Sequence, residues 1–84
     1  MQHQPSIIDV RTREEFSEKH FPGAINIPLD ELPLKMEEIK DMPRPIIAYC
    51  RSGQRSGRAV ELMASMGITD AVNGGGLEDM ENNS

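Results

Sequence analysis

The residues most able to do chemistry are Tyr49-Cys50-Arg51-Ser52-Gly53-Gln54-Arg55-Ser56, which place the chain's single cysteine between an apolar run and an amphipathic stretch. Pro45 to Tyr49 is rich in β-forming residues. Ala59, Leu62, Met63 and Met66 recur at i, i+3, i+4 and i+7, the spacing of one buried helix face. A loop between such elements turns sharply and aims its backbone N–H groups, with the positive end of the helix, at the Cys50 sulfur. Amides and a helix N-terminus favour thiolate over thiol, bringing a cysteine pKa from about 8.5 down to roughly 3.5–7.5. Cys50 is therefore read as a nucleophile, against the plainer alternative of a buried structural cysteine.

Charge singles out the same loop. The formal net charge is −5, which argues against nucleic acid and anionic membranes as partners. From Met42 to Val60, however, there is no Asp or Glu, while Arg44, Arg51, Arg55 and Arg58 all fall inside. Arginine here can hold a thiolate, bind an oxyanion through paired N–H donors and draw in a small anionic substrate. A solvated helix face accounts for Arg58 and Arg44; Arg51 and Arg55, inside the loop, are read as functional.

Composition bounds the rest. Eighty-four residues, 37% apolar and 27% charged, make one small domain over 1–84. No stretch approaches the roughly 18 apolar residues of a membrane helix, and Met1-Gln2-His3-Gln4-Pro5-Ser6 lacks the pattern of a secretory signal. The chain as it stands reads as cytoplasmic; a mature periplasmic protein restarted on a methionine would look the same. One cysteine excludes an internal disulfide, a CxxC pair and a cysteine-based zinc cluster.

Around the loop, Ser6 to Val10 is expected to be a buried parallel strand. Thr12-Arg13-Glu14-Glu15 has capping-box spacing, starting a two-turn helix that carries Phe16 inward and ends near His20. Phe21-Pro22-Gly23 is turn chemistry, and Ala24 to Ile27 a second strand. Leu34, Ile39 and Met36 are expected to share one face of a short helix after Pro33. Gly67 suits a helix C′ position, Asp70 to Asn73 a last strand, and Gly74-Gly75-Gly76 a turn into a frayed final helix. Strands alternating with helices indicate an α/β layer fold whose parallel sheet presents its sites at the carboxyl ends of strands, where Asp9 and Cys50 lie.

With these residues in place the chain resembles the single-domain rhodaneses, a sulfurtransferase family. Ile8-Asp9-Val10-Arg11 with Glu15-Phe16 is similar to the family's first strand and helix. His20-Phe21-Pro22-Gly23-Ala24-Ile25-Asn26-Ile27-Pro28 resembles its glycine-alanine turn and second strand. Cys50 to Ser56 resembles the catalytic loop of bacterial single-domain members, and Asn73-Gly74-Gly75-Gly76-Leu77 the closing glycine turn. The resemblance runs from about Ser6 to Met80 and implies a three-layer α/β/α fold with a small parallel sheet. The family commonly carries an extra strand and helix ahead of the Asp-Val-Arg strand, so the sheet is expected to be one strand short. Met80 stands where the family often has an aromatic.

Cys50 and Arg55 are separated by four residues. Phosphatases of the dual-specificity cell-cycle type have five, and a shorter loop crowds the sulfur, suiting one added sulfur atom. The resemblance associates that length with sulfur transfer. It implies that Cys50 takes the outer sulfur of thiosulfate or a similar donor as a persulfide and passes it to a thiol or cyanide, without metal or organic cofactor. Substrate contacts are expected from Arg51, Ser52, Gly53, Gln54, Arg55 and Ser56. The amides of Arg51 through Arg55 should stabilise the anionic sulfur, and the Ser52 and Ser56 hydroxyls should bond loop or sulfur. Asp9 and Arg11 are read as a structural ion pair near the site, His20 as a structural helix-terminal residue, and His3 as disordered. Two other readings stay open: a persulfide carrier serving a thioredoxin-like or other sulfur-relay protein, and a phosphatase or arsenate reductase.

Overall fold

A computed structural model describes residues 4–82. Its elements are β1 (Ser6–Asp9), α1 (Arg13–Glu18), β2 (Ile25–Asn26), a 3₁₀ helix (Leu29–Lys35), α2 (Met36–Lys40), β3 (Ile46–Cys50), α3 (Gln54–Ser65), β4 (Ala71–Gly76) and α4 (Leu77–Asn82). The four strands form one parallel sheet in the order β2-β1-β3-β4. Alternate residues of a strand face opposite ways, so Ile46, Ala48 and Cys50 point together into a core with Ile8, Leu32, Ile39, Ala59 and Met63. The other face carries Ile7, Ile47 and Phe21, with Met80 of α4 against Gly74 and Ile47. Helices thus cover both sides of a small α/β sheet, as expected.

Local chemistry explains where the elements begin and stop. The Thr12 hydroxyl accepts the Glu15 N–H at 3.2 Å while the Glu15 carboxylate accepts the Thr12 N–H at 2.9 Å, so the capping box is complete. At the end of α3, Gly67 takes a φ of 101°, its N–H reaches the Ala64 carbonyl, and the Ile68 N–H returns to that of Met63 at 2.8 Å. This is a Schellman closure, and it turns Ile68 into the core.

Several expectations are corrected. Leu34 is 83% exposed and does not join a buried face with Met36 and Ile39. The segment opens as a 3₁₀ helix, which changes the angular step per residue, so Leu32 instead joins those two inside. Helix α1 ends at Glu18 with Lys19 as its C-cap, near His20 as expected, but Phe16 is only half-buried, stacked on the His20 ring at 3.7 Å. Met66 is half out of α3, at its C-cap, and 39% exposed. The three glycines do not leave the sheet as a turn. They complete β4 through a register shift that sets Ala48 against Asn73 and Cys50 against Gly76. His3 lies outside the described residues.

Candidate active site

Cys50 is the last residue of β3 and is fully buried. Four residues on, α3 opens with Gly53 as its N-cap, in a left-handed conformation at φ 98° that no side chain adopts comfortably. Glycine cannot cap a helix with a side chain, and the Cys50 sulfur does so instead. The Gly53 N–H donates to Sγ at 3.0 Å, the Ser56 N–H at 3.4 Å and the Ser56 hydroxyl lies at 3.5 Å. Burial pushes the thiol up, but the bonds from the Ser56 side chain and from the Ser56, Ser52 and Gly53 amides outweigh it and bring the pKa down to about 7. The amides that reach the sulfur are thus those of Ser52, Gly53 and Ser56, not the whole run from Arg51 to Arg55. Ser52 is exposed and acts through its backbone, whereas Ser56 is fully buried.

The loop is braced from β4. Asn73 donates from Nδ2 to the Gly53 carbonyl at 3.0 Å, and its Oδ1 accepts the Ser56 hydroxyl at 2.7 Å and the Gly75 N–H at 2.9 Å. Gly76 passes so close to the loop that a Cβ there would stand 2.3 Å from the Arg51 carbonyl oxygen. Asn73 and Gly76 stood in the sequence only as part of the closing glycine turn expected near this loop; what sequence reasoning missed is that they brace it.

Asp9 and Arg11 form the ion pair expected of them, buried and 2.7 Å apart, with Arg11 Nε also on the Asp9 carboxylate. Bonding to Asp9 raises the Arg11 pKa against the opposing effect of burial. The pair supports the strand ends below the loop, with Tyr49 donating its hydroxyl to Asp9.

Arg51 and Arg55 do not converge. Arg51 is exposed and lines a cleft with Arg11, Lys19 and four carboxylates, Glu15, Glu18, Glu78 and Glu81. Arg55, already in the first turn of α3, lines a different cleft with Leu29, Gln54 and Arg58. It is bound by both Glu15 carboxylate oxygens at 2.9 and 3.1 Å, so it is not the open anion site that its place in the loop suggested. Of the remaining arginines, Arg44 pairs with Asp70, away from the sulfur, and Arg58 is exposed. His20 is exposed, with Nδ1 2.8 Å from the Phe16 carbonyl. Among the described residues no cluster of His, Cys, Asp and Glu could hold a metal ion, and no helix is long and apolar enough to cross a membrane.

The rhodanese-like domain family model matches residues 1–83. The chain belongs to the rhodanese-like domain family. It is 40% identical over 74 residues to the thiosulfate sulfurtransferase PspE of Escherichia coli, covering 87% of this chain and 71% of that protein. It is 35% identical over 68 residues to the putative sulfur carrier protein YrkF of Bacillus subtilis, covering 81% of this chain and 36% of that one. A solved E. coli rhodanese with anions superposes with a TM-score of 0.82 at 39% identity, covering 90% of this chain and 91% of that chain. This rhodanese-like chain shares its small parallel α/β architecture with that structure, and the family and its sulfurtransferase relatives support sulfur-transfer chemistry in the broad sense.

Proposed function

We propose that this protein is a sulfurtransferase that moves sulfane sulfur from thiosulfate or a similar donor to a thiol or cyanide through a Cys50 persulfide. The observation that carries the reading is the Cys50 sulfur itself, which sits at a helix N-terminus with Gly53 and Ser56 as donors and a pKa of about 7. Near neutral pH a large fraction is thiolate, so attack needs no general base. In the first step the thiolate bonds to the outer sulfur of thiosulfate as the S–S bond breaks, and sulfite leaves with that electron pair. In the second an acceptor thiolate or cyanide bonds to the terminal sulfur of the persulfide, the Cys50 S–S bond breaks and the thiolate returns. Charge balances in both steps, and no metal or organic cofactor enters either. The amides at Gly53 and Ser56 stabilise the anionic sulfur in each state. Arg51, exposed beside the loop, draws in the donor's anionic head.

Intact-protein mass spectrometry of the reduced chain after exposure to thiosulfate tests this. The expected result is a gain of about one sulfur atom that vanishes on adding cyanide or a thiol and is absent in Cys50→Ser. No gain with thiosulfate, but rapid gain from a protein persulfide, supports the second reading, a persulfide carrier serving a sulfur-relay partner. That reading is favoured by the relative named as a putative sulfur carrier. Hydrolysis of an aryl phosphate or reduction of arsenate without any sulfur adduct would overturn both.

A further inference from the structure

The two arginines of the Cys50 loop are treated differently by their neighbours. Arg51 has no hydrogen-bond or ion-pair partner among the described residues. Arg55 is held by two parallel N–H···O bonds to Glu15, a residue forty positions earlier on α1. Capping α1 requires only one Glu15 oxygen, the one that accepts the Thr12 N–H. Both oxygens nevertheless engage the guanidinium, and the Glu15 side chain is only 23% exposed, so water screens the pair incompletely. The same carboxylate also faces the cleft that Arg51 lines, together with Glu18, Glu78, Glu81, Arg11 and Lys19. Of these carboxylates Glu15 is the one that grips the Arg55 guanidinium.

We propose that Glu15 is a positioning residue that sets the charge of this site, cancelling Arg55 so that donors of low charge, such as monoanionic persulfides, compete with dianionic thiosulfate. The proposal rests on the sulfurtransferase reading for the kind of donor, but not for the charge effect itself. A site with two uncompensated arginines would concentrate dianions strongly. With Glu15 in place, the Arg55 share of that pull is cancelled.

Alkylation of Cys50 by iodoacetate and by iodoacetamide, which are similar in size and differ by one negative charge, tests the effect without any sulfur donor. The ratio of the two rates at fixed pH cancels changes in thiolate fraction and in access. Glu15→Gln keeps an oxygen for the Thr12 N–H and removes the charge. Its ratio is expected to rise roughly threefold to tenfold at low salt, with the rise shrinking as salt is added. An unchanged or lower ratio overturns the proposal. Should that variant not fold, Glu15→Gln combined with Arg55→Gln decides. A ratio near that of the unaltered protein supports cancellation, and one well below it shows that Arg55 attracts anions despite Glu15 and overturns the proposal. In turnover, KM for thiosulfate should fall severalfold in Glu15→Gln and KM for a monoanionic thiosulfonate should fall less. An unaltered protein that transfers no sulfur would remove the functional reading and leave the alkylation result standing.

Discussion

Asp9 and Tyr49 lie opposite each other in the parallel pairing of β1 with β3, and the Tyr49 hydroxyl donates to Asp9 Oδ2 at 2.7 Å. The Tyr49 hydroxyl oxygen in turn accepts the Phe21 N–H at 2.9 Å, so one phenol ties two strands to the turn after α1. Both side chains are fully buried, and burial first, then the bond to Asp9, pushes the phenol up to about 12 against the Phe21 amide. Tyr49→Phe leaves the Phe21 N–H without its acceptor and removes one donor from Asp9. It is expected to cost about 1–3 kcal/mol, read from urea unfolding. A cost near zero would mean that water replaces the hydroxyl.

The thiol makes a prediction in pH. Iodoacetamide alkylation of Cys50 should rise with pH about a midpoint near 7. Because the folded pKa lies below that of an unfolded cysteine, the thiolate stabilises the fold. That contribution is complete above the unfolded value, about 8.5, and is lost as pH falls through 7. Ser56→Ala removes one donor to the sulfur and should move the midpoint upward; an unmoved midpoint would assign the effect to the amides alone.

Glu15 behaves likewise in acid. Its bonds to Arg55, offset in part by burial and aided by Thr12, hold the carboxyl down to about 2. The pair's stabilisation is present above the carboxyl's unfolded pKa, about 4.3, and is lost as pH falls toward 2. With both groups partly exposed, about 0.5–1 kcal/mol is the expected size. Glu15→Gln should flatten that part of the stability curve measured by urea titration at successive pH values.

Gly76→Ala tests the brace behind the loop. Its Cβ would meet the Arg51 carbonyl at 2.3 Å, backbone that cannot swing aside as a flexible side chain would. The expected result is a loss of about 1–3 kcal/mol together with slower Cys50 alkylation at pH 7, as the loop amides move off the sulfur. Lost stability with unchanged alkylation would show that β4 yields and the loop does not.

Local sequence was informative where one residue type answers one local demand. Thr12 and Glu15 marked the start of α1 because a capping box lies within four residues. Gly67 marked the end of α3 because the left-handed closure there suits glycine. Leu34 misled because the 3₁₀ helix follows from how Leu29 to Met36 packs beneath α3, which no helical periodicity foretells. Phe16 misled because α1 lies at the rim, where stacking on His20 takes the place of burial.

The sequence alone determined where the thiol lies and its local setting. A lone cysteine followed by a glycine that permits the turn, and then by a helix, places a sulfur before backbone donors whatever the rest of the chain does. Only the tertiary structure decided how that site is charged and held. Glu15 reaches Arg55 across forty residues, and Asn73 reaches Gly53 and Ser56 across about twenty. Such contacts depend on the parallel order of the sheet, which sets β4 beside β3, and on the path that returns α1 to the front of α3. Spacing along a chain fixes local geometry, whereas the partner of a charge depends on which distant segments the folded core brings to it.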